Sequence, residues 1–268
     1  MQSTASEFDF ATELKRIAQA EQENSRKAKK PNNNMTTISK LQLQSSEIRN
    51  LHEELSEFEN ALVLLKSKNR YDEDHELERK EAKFSNFIEG INCLSKDMEL
   101  TSMYRQLAAQ NIYEMNSETL EDVTEIINFS KPGLRRKSFS KELTLTHEKK
   151  IIYTPPSSRT VIRVEFEEII AFINSKKKLN IIDISFIYFQ LLAIQPMYSK
   201  NPQICRAMVN RIFSENYKLN LIIPLSEQLH KERSKYTRFL MLALKDNSYL
   251  PLIRFLICSY TKALKTVC

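Results

Sequence analysis

The segment QPMYSKNPQICR, residues 195–206, lies between an apolar stretch, IIDISFIYFQLLAI, and a helix-like run, AMVNRIFSENYKL. A polar loop with two prolines, set between two buried helices, has the setting of a reactive site. Its side chains do not supply the usual chemistry. It holds no histidine, no carboxylate and no glycine, so it offers neither a base that titrates near neutrality nor a bare backbone cradle for phosphate. It does carry Lys200, Asn201 and Arg206, two cations and an amide whose donors suit an anion.

A second group lies upstream. Ser85 and Glu89 are four residues apart on a helix expected over 77–95, so they stack on one side of it. Gly90 follows at once. Glycine inside a helix costs about 1 kcal/mol against alanine, which points to the close approach of another backbone or of a ligand.

Other chemistries are excluded by counts. The whole chain has two glycines, Gly90 and Gly133, whereas Walker phosphate loops and dinucleotide fingerprints both need glycines clustered in one short turn. The four cysteines, Cys93, Cys205, Cys258 and Cys268, stand at neither metal-finger nor redox spacing. They read as reduced thiols of a cytoplasmic protein. No metal centre is expected. Of the four histidines, His52 and His75 lie outside the expected core, His147 falls on an expected hairpin and His230 on a late helix.

The net charge of +6 is modest for 268 residues. Its clusters, RKAKK near 26, LRRK near 134 and KKK at 176–178, have no interleaved aromatic residues. They read as solvated surface, so nucleic acid is not an expected partner. The first residues, MQSTASEFDF, lack the features of a signal peptide. No run approaches the roughly eighteen apolar residues of a membrane span, and no membrane association is expected.

The elements that must position these residues are mostly helical. Residues 1–35 form a weakly ordered tail with a short amphipathic helix over 8–22. Residues 36–76 form a helical segment and a charged linker, KSKNRYDEDHE. In that segment Ile48, Leu51, Leu55, Phe58, Leu62 and Leu65 make one apolar seam, suited either to a coiled coil or to packing on the chain's own core. On helix 77–95, Phe84, Phe87, Ile88, Ile91 and Leu94 form the expected buried face. Further helices are expected over 97–114 and 117–129. A β-hairpin follows over 138–153, closed by Pro155 and Pro156. After it come helices around VEFEEIIAFINS, over 181–195 and over 204–218, and two more in LSEQLHKERSKYTRFLMLAL and SYLPLIRFLICSYTKAL. The fold class is mainly α, a helical bundle with one small hairpin.

The order of these features resembles the Fic (Fido) domain, whose usual activity is transfer of AMP from ATP to a hydroxyl of a target protein. The family loop runs His-Pro-Phe-x-Asp/Glu-Gly-Asn-Gly-Arg-x-x-Arg. Laid on this sequence, Gln195 takes the histidine position, Pro196 matches, and Met197 stands for the phenylalanine. Ser199 replaces the acid, Lys200 and Pro202 the two glycines, and Gln203 the first arginine. Asn201 and Arg206 match. KPGLRR at 131–136 is similar to the turn before the family's target-docking hairpin, and YTPPSS at 153–158 to the exit from it. LSEQLHKERSKYTRFL at 225–240 and YLPLIRFLI at 249–257 are similar to the closing helices. SNFIEG at 85–90 is similar to the family's inhibitory-helix motif, Ser/Thr-x-x-x-Glu-Gly/Asn. The resemblance covers roughly residues 77–260, so residues 77–268 are read as a Fic-like domain whose first helix is of the inhibitory type.

What the resemblance implies is a dismantled site. The histidine of relatives is the general base, and the amide of Gln195 has no such protonation step. Losing a general base costs about 10²–10⁴ in rate. The acid of relatives holds magnesium, a role for which the Ser199 hydroxyl is a weak substitute. Pro202 removes one backbone donor, and Gln203 removes a guanidinium. The retained Ser85, Glu89 and Arg206 imply an ion pair between Glu89 and Arg206, tying the upstream helix to the loop. The expected function is that of a catalytically degenerate Fic protein, a pseudo-AMP-transferase, that acts by protein–protein interaction as a regulatory or complex subunit, with the hairpin 138–153 or the helix 48–65 as the contact and a homo- or hetero-oligomer as the assembly. No cofactor is expected. The alternative is a nucleotide-binding Fic enzyme that transfers AMP or a related group to protein hydroxyls by an altered mechanism, using ATP and magnesium, with Lys200, Asn201, Gln203 and Arg206 around the nucleotide.

Overall fold

The computed structural model describes residue 38, 43–67, 75–89, 92–108, 144–145, 150–151, 153, 155–156, 158–196, 201–219 and 221–268. The expected helices over 8–22 and 117–129 lie outside the described residues, as do Gly90, Gly133, Ser199 and Lys200.

The described helices are α1 (Ser45–Arg49), α2 (His52–Ser67), α3 (His75–Ile88), α4 (Leu94–Ala108), α5 (Arg159–Ser175), α6 (Ile181–Ile194), α7 (Asn201–Tyr217), α8 (Leu225–Lys231), α9 (Arg233–Asp246) and α10 (Leu250–Val267). Between α4 and α5 a two-residue antiparallel ladder joins β1 (Thr144–Leu145) to β2 (Lys150–Ile151), with Thr144 opposite Ile151 and Leu145 opposite Lys150. The rest of the hairpin expected over 138–153 is outside the described residues, Tyr153 excepted.

α6 is the axis of the fold. Every residue in it except Ile182 is buried, as a helix that is apolar all round requires. Asn180 caps its start by accepting from the Asp183 amide, and Asp183 returns the bond to the Asn180 amide. α5, α7 and α10 pack around it. α2 lies along α10 and α3 along α8, while α4 bridges α3 and α7. Aromatic rings knit the far side together: Phe213 of α7 stacks on Tyr260 of α10 at 4.6 Å and meets Phe58 of α2 edge-on at 6.0 Å. Among the described residues, no helix is long and apolar enough to cross a membrane.

The seam on α2 is occupied internally. Leu51, Phe58, Leu62 and Leu65 are buried, with Ala61 beside them. Only Ile48, in α1, faces outward at 43% exposure. Of the two options for that seam, packing on the chain's own core is the one observed.

Besides the break at residues 50–51, which divides the helix expected over 48–65 into α1 and α2, three helix boundaries differ from expectation. The helix expected over 77–95 ends at Ile88, and α4 begins afresh at Leu94. The periodic face therefore breaks before Leu94, which is 76% exposed. Second, α7 starts at Asn201, three residues earlier than expected, because Pro202 is tolerated in a first turn, where its missing N–H has no intrahelical partner. Third, the run 225–244 is two helices, broken at Glu232 (φ −115°, ψ 34°). The Glu232 carboxylate there binds both Lys235 and Lys262.

Candidate functional site

The end of α6 sets the geometry. Gln195 caps that helix in the left-handed region (φ 43°, ψ 64°), with its backbone N–H donating to the Leu191 carbonyl at 3.1 Å. A left-handed residue followed by proline is an effective helix stop. It turns the half-buried Gln195 side chain out of the helix at the start of the loop.

α7 re-enters the core at Asn201. Asn201 and Gln203 are buried, and Arg206 is fully buried. A charged group can be held there only if its donors are met. The partners come from α3. Arg206 Nε donates to Ser85 Oγ at 2.8 Å, and Nη2 donates to the Ser85 carbonyl at 2.8 Å and to Glu89 Oε1 at 3.0 Å. The pairing of Glu89 with Arg206 that the resemblance implied is thus present in the geometry. Nη1 has no hydrogen-bond partner. Burial works against the guanidinium charge, but the Glu89 carboxylate offsets it and the group is held above its ordinary value.

Tyrosines from three other helices stand around Arg206. Tyr188 of α6 and Tyr236 of α9 share a 2.7 Å hydroxyl contact with their rings stacked, and Tyr104 of α4 completes the surround. Burial pushes Tyr188 up to about 12 and the other two well above their usual value, so all three keep their protons at physiological pH. Cys205 is also buried, and burial raises its thiol far above the ordinary range. It is packing rather than a nucleophile.

The charged member of the site that the sequence reading does not contain is Glu81, and the polar residues around it, Tyr104, Tyr188, Tyr236, Asn210 and Ser226, are likewise absent from that reading. Glu81 stands four residues before Ser85 and eight before Glu89, on the same stripe of α3. It is fully buried. Tyr104 Oη and Asn210 Nδ2 donate to its Oε1, both at 3.2 Å, and Ser226 donates its backbone N–H to Oε2 at 2.8 Å and its hydroxyl to Oε1 at 2.6 Å. Burial raises this carboxyl to about 7 despite those donors and the Arg206 charge. Asn210 and Arg206 are four apart on α7, so two stripes meet: Glu81 against Asn210, Ser85 and Glu89 against Arg206. The i, i+4 spacing of Glu81, Ser85 and Glu89 was the available signal.

α8 clamps the outer side of α3. Lys80 and Glu227 pair at 2.9 Å. His230 sits against the rings of Phe84 and Phe87, at 5.6 and 5.7 Å. Burial first, and Arg233 second, lower its pKa. His230 is therefore an aromatic-packed side chain at the back of α3. Of the expected residues, Ser85, Glu89 and Arg206 are brought into contact. Gln195, Asn201 and Gln203 frame the loop end.

Comparison with known proteins bears on this arrangement of helices. No family model matches the sequence, and no curated protein matches it. A solved structure does match. A Fic family protein from Desulfovibrio desulfuricans superposes with a TM-score of 0.65 at 12% identity, over 84% of this chain and 75% of that one. The chain has the Fic fold. A second similar structure, Fic-1 from C. elegans, gives a TM-score of 0.48 at 12% identity over 96% of this chain and 71% of that one. At such identities the likeness extends to the fold alone, so the chemistry of the Fic fold in this chain has to be judged from its own residues.

Proposed function

We propose that this chain is a catalytically degenerate Fic protein that acts by contact with another protein. The observation that carries the reading is Gln195. It occupies the point where the main helix of the fold hands over to the loop, and its amide cannot take a proton from an attacking hydroxyl.

The residues nearby fit a metal-bound triphosphate poorly. Two of the three guanidinium nitrogens of Arg206 are engaged by Ser85 and Glu89, and the Glu89 carboxylate itself would repel phosphate at that place. Gln203 brings no charge. In this reading the α3 stripe is a permanent tie, where relatives use the corresponding helix for inhibition.

A partner would meet the segment 138–153, of which β1, β2 and Tyr153 are the described part, by adding a strand to its edge. The seam of the 48–65 helix is spent on α10, leaving only its outer side, with Val63 and Leu64 exposed. A cytoplasmic setting belongs to the same reading, in line with four cysteines that are all free of disulfides.

One observation favours the other reading, a nucleotide-binding enzyme of altered mechanism: Arg206 Nη1 is buried without an acceptor, as a donor awaiting phosphate would be. Incubating the purified chain with labelled ATP, UTP or GTP and a lysate separates the two. The degenerate reading expects no label on any protein. Label transfer abolished by Q195A or N201A overturns it.

A further inference from the structure

One end of the helical bundle gathers cations from three parts of the chain. The turn between α5 and α6 is tied to the end of α7 by Asn216, whose side chain accepts from the Leu179 N–H at 2.9 Å and donates to the Leu179 carbonyl at 2.8 Å. The end of α2 reaches the same place. Lys66 Nζ stands 6.0 Å from the centroid of the Tyr217 ring, and Lys178 Nζ 5.7 Å from it. Lys177 precedes Lys178, and Lys218 follows Tyr217 with a left-handed backbone (φ 56°). Lys66, Lys177, Lys178 and Lys218 are all exposed, and none has a carboxylate partner among the described residues.

Elsewhere Lys80, Lys96, Lys231, Lys235, Lys262 and Lys265 each meet a carboxylate. Lys176, next to the four, is held by Asp183. Helix ends do not balance the group. The C-termini of α2, α5 and α7 bring about half a negative charge each, and the N-terminus of α6 returns about half a positive one. Besides Asp183, Glu59 of α2 is the acid whose charge reaches Tyr217. The four lysines still leave an excess of about two positive charges. Apolar surface adjoins them. Val63 lies one turn before Lys66 on the same side of α2 and is 67% exposed, with Leu64 beside it at 47%.

We infer that this end of the molecule docks an acidic, amphipathic segment of a protein partner. Its carboxylates pair with Lys66, Lys177, Lys178 and Lys218, and an apolar side chain covers Val63 and Leu64. Complementary charge at such a surface sets partner choice and association rate more than affinity. Nucleic acid fits less well, because the Tyr217 ring is buried and offers no platform for a base, and phosphates leave the apolar side chains uncovered. A membrane fits less well too, since two apolar side chains give little insertion. The surface continues the outer side of α2, which packing on α10 leaves free. The inference rests on the reading of the chain as a partner-binding protein and adds the chemistry of the partner.

Fluorescence anisotropy of the full chain with a labelled peptide of Glu-Leu-Glu repeats tests it, with Lys-Leu-Lys repeats as the control. Saturable binding of the acidic peptide alone is expected, weakening with added salt and by about fivefold or more in K177Q/K218Q. Both lysines are exposed and touch neither a ring nor a carboxylate, so circular dichroism should show the fold unchanged. K96Q/K235Q removes the same charge from lysines that are already paired, and it should alter binding by less than about twofold. V63S should weaken binding as well. No saturable binding, or equal losses in the two double variants, overturns the inference. So does tighter binding of phosphatidylserine vesicles or of a DNA duplex, which assigns the surface to lipid or to nucleic acid. Binding seen only in D72N/E73Q/D74N makes the acids that follow α2 in the sequence the occupant, and overturns it too. None of these readouts involves ATP, so a chain that transfers label yet binds the acidic peptide loses the degenerate reading alone.

Discussion

Ser85 holds Arg206 twice, through its hydroxyl on Nε and through its backbone carbonyl on Nη2, each at 2.8 Å, across 121 residues of sequence. The main-chain bond matters most. It fixes the register of α3 on α7 whatever the side chain at 85 does, and it leaves Glu89 to neutralise the charge. One fully buried guanidinium thereby joins the first helix of the Fic-like region to the helix after the loop.

Removing Glu89 should strand that charge. Breaking a buried pair from one side costs about 3–5 kcal/mol, and the partial exposure of the Glu89 side chain reduces the expectation for E89A to about 1–3 kcal/mol. The double variant E89A/R206M should recover most of the loss, since a neutral chain of similar length needs no counter-charge. Urea midpoints measure both. An E89A protein within about 0.5 kcal/mol of the parent contradicts the tie.

Glu81 predicts a pH dependence with a definite sign. Its carboxyl lies at about 7 when folded, against an ordinary 4.5. The folded state therefore binds the proton more tightly. The contribution to stability is full below about pH 4.5, declines as pH rises through the window to about 7, and is lost above it. The total is on the order of 3 kcal/mol. Tyr104, Asn210, Ser226 and Arg206 are the groups facing it. E81Q can keep its oxygen on the Ser226 N–H and turn its amide to the hydroxyls of Ser226 and Tyr104, while Asn210 Nδ2 loses that acceptor and keeps only the Ile223 carbonyl, a loss that is the same at every pH. The difference in stability between E81Q and the parent should grow in favour of E81Q from pH 5 to pH 8. A difference that stays flat across that range refutes the assignment.

The Tyr188–Tyr236 contact makes a third case. Y188F leaves the buried Tyr236 hydroxyl without its partner and should cost about 1–3 kcal/mol, while Y188F/Y236F removes both needs and should cost less than the two single changes added together. A double-mutant cycle in denaturant checks this. Strict additivity would show that the two hydroxyls do not couple.

Restoring the missing base alone should not restore chemistry. Q195H returns an imidazole to the end of α6, but Arg206 stays engaged with Ser85 and Glu89, and Gln203 and Pro202 remain. The expected outcome with labelled ATP and magnesium is no transfer above the parent level. Transfer by Q195H would show that the surrounding site is intact.

The fold was readable wherever the pattern was apolar and long. The stretch 181–194 could hardly be anything but a buried helix, and the resemblance then placed its neighbours in order. The site was readable through Ser85, Glu89 and Arg206, because their types and spacing matched a known pattern. Glu81 was not, because a charged residue in HELERKEAKFSNFI reads as solvated until a partner helix is known to cover it. The break after Ile88 is hidden for a related reason: the sequence pattern accommodates Gly90 as a guest inside a helix. The break at Glu232 was missed because the lysine that holds it, Lys262, lies thirty residues away.

Isothermal titration of the full chain with ATP and magnesium bears most directly on the degenerate reading. A guanidinium already bound by Ser85 and Glu89, beside an amide in place of a base, predicts no saturable heat. Tight, stoichiometric binding that R206A abolishes would contradict it.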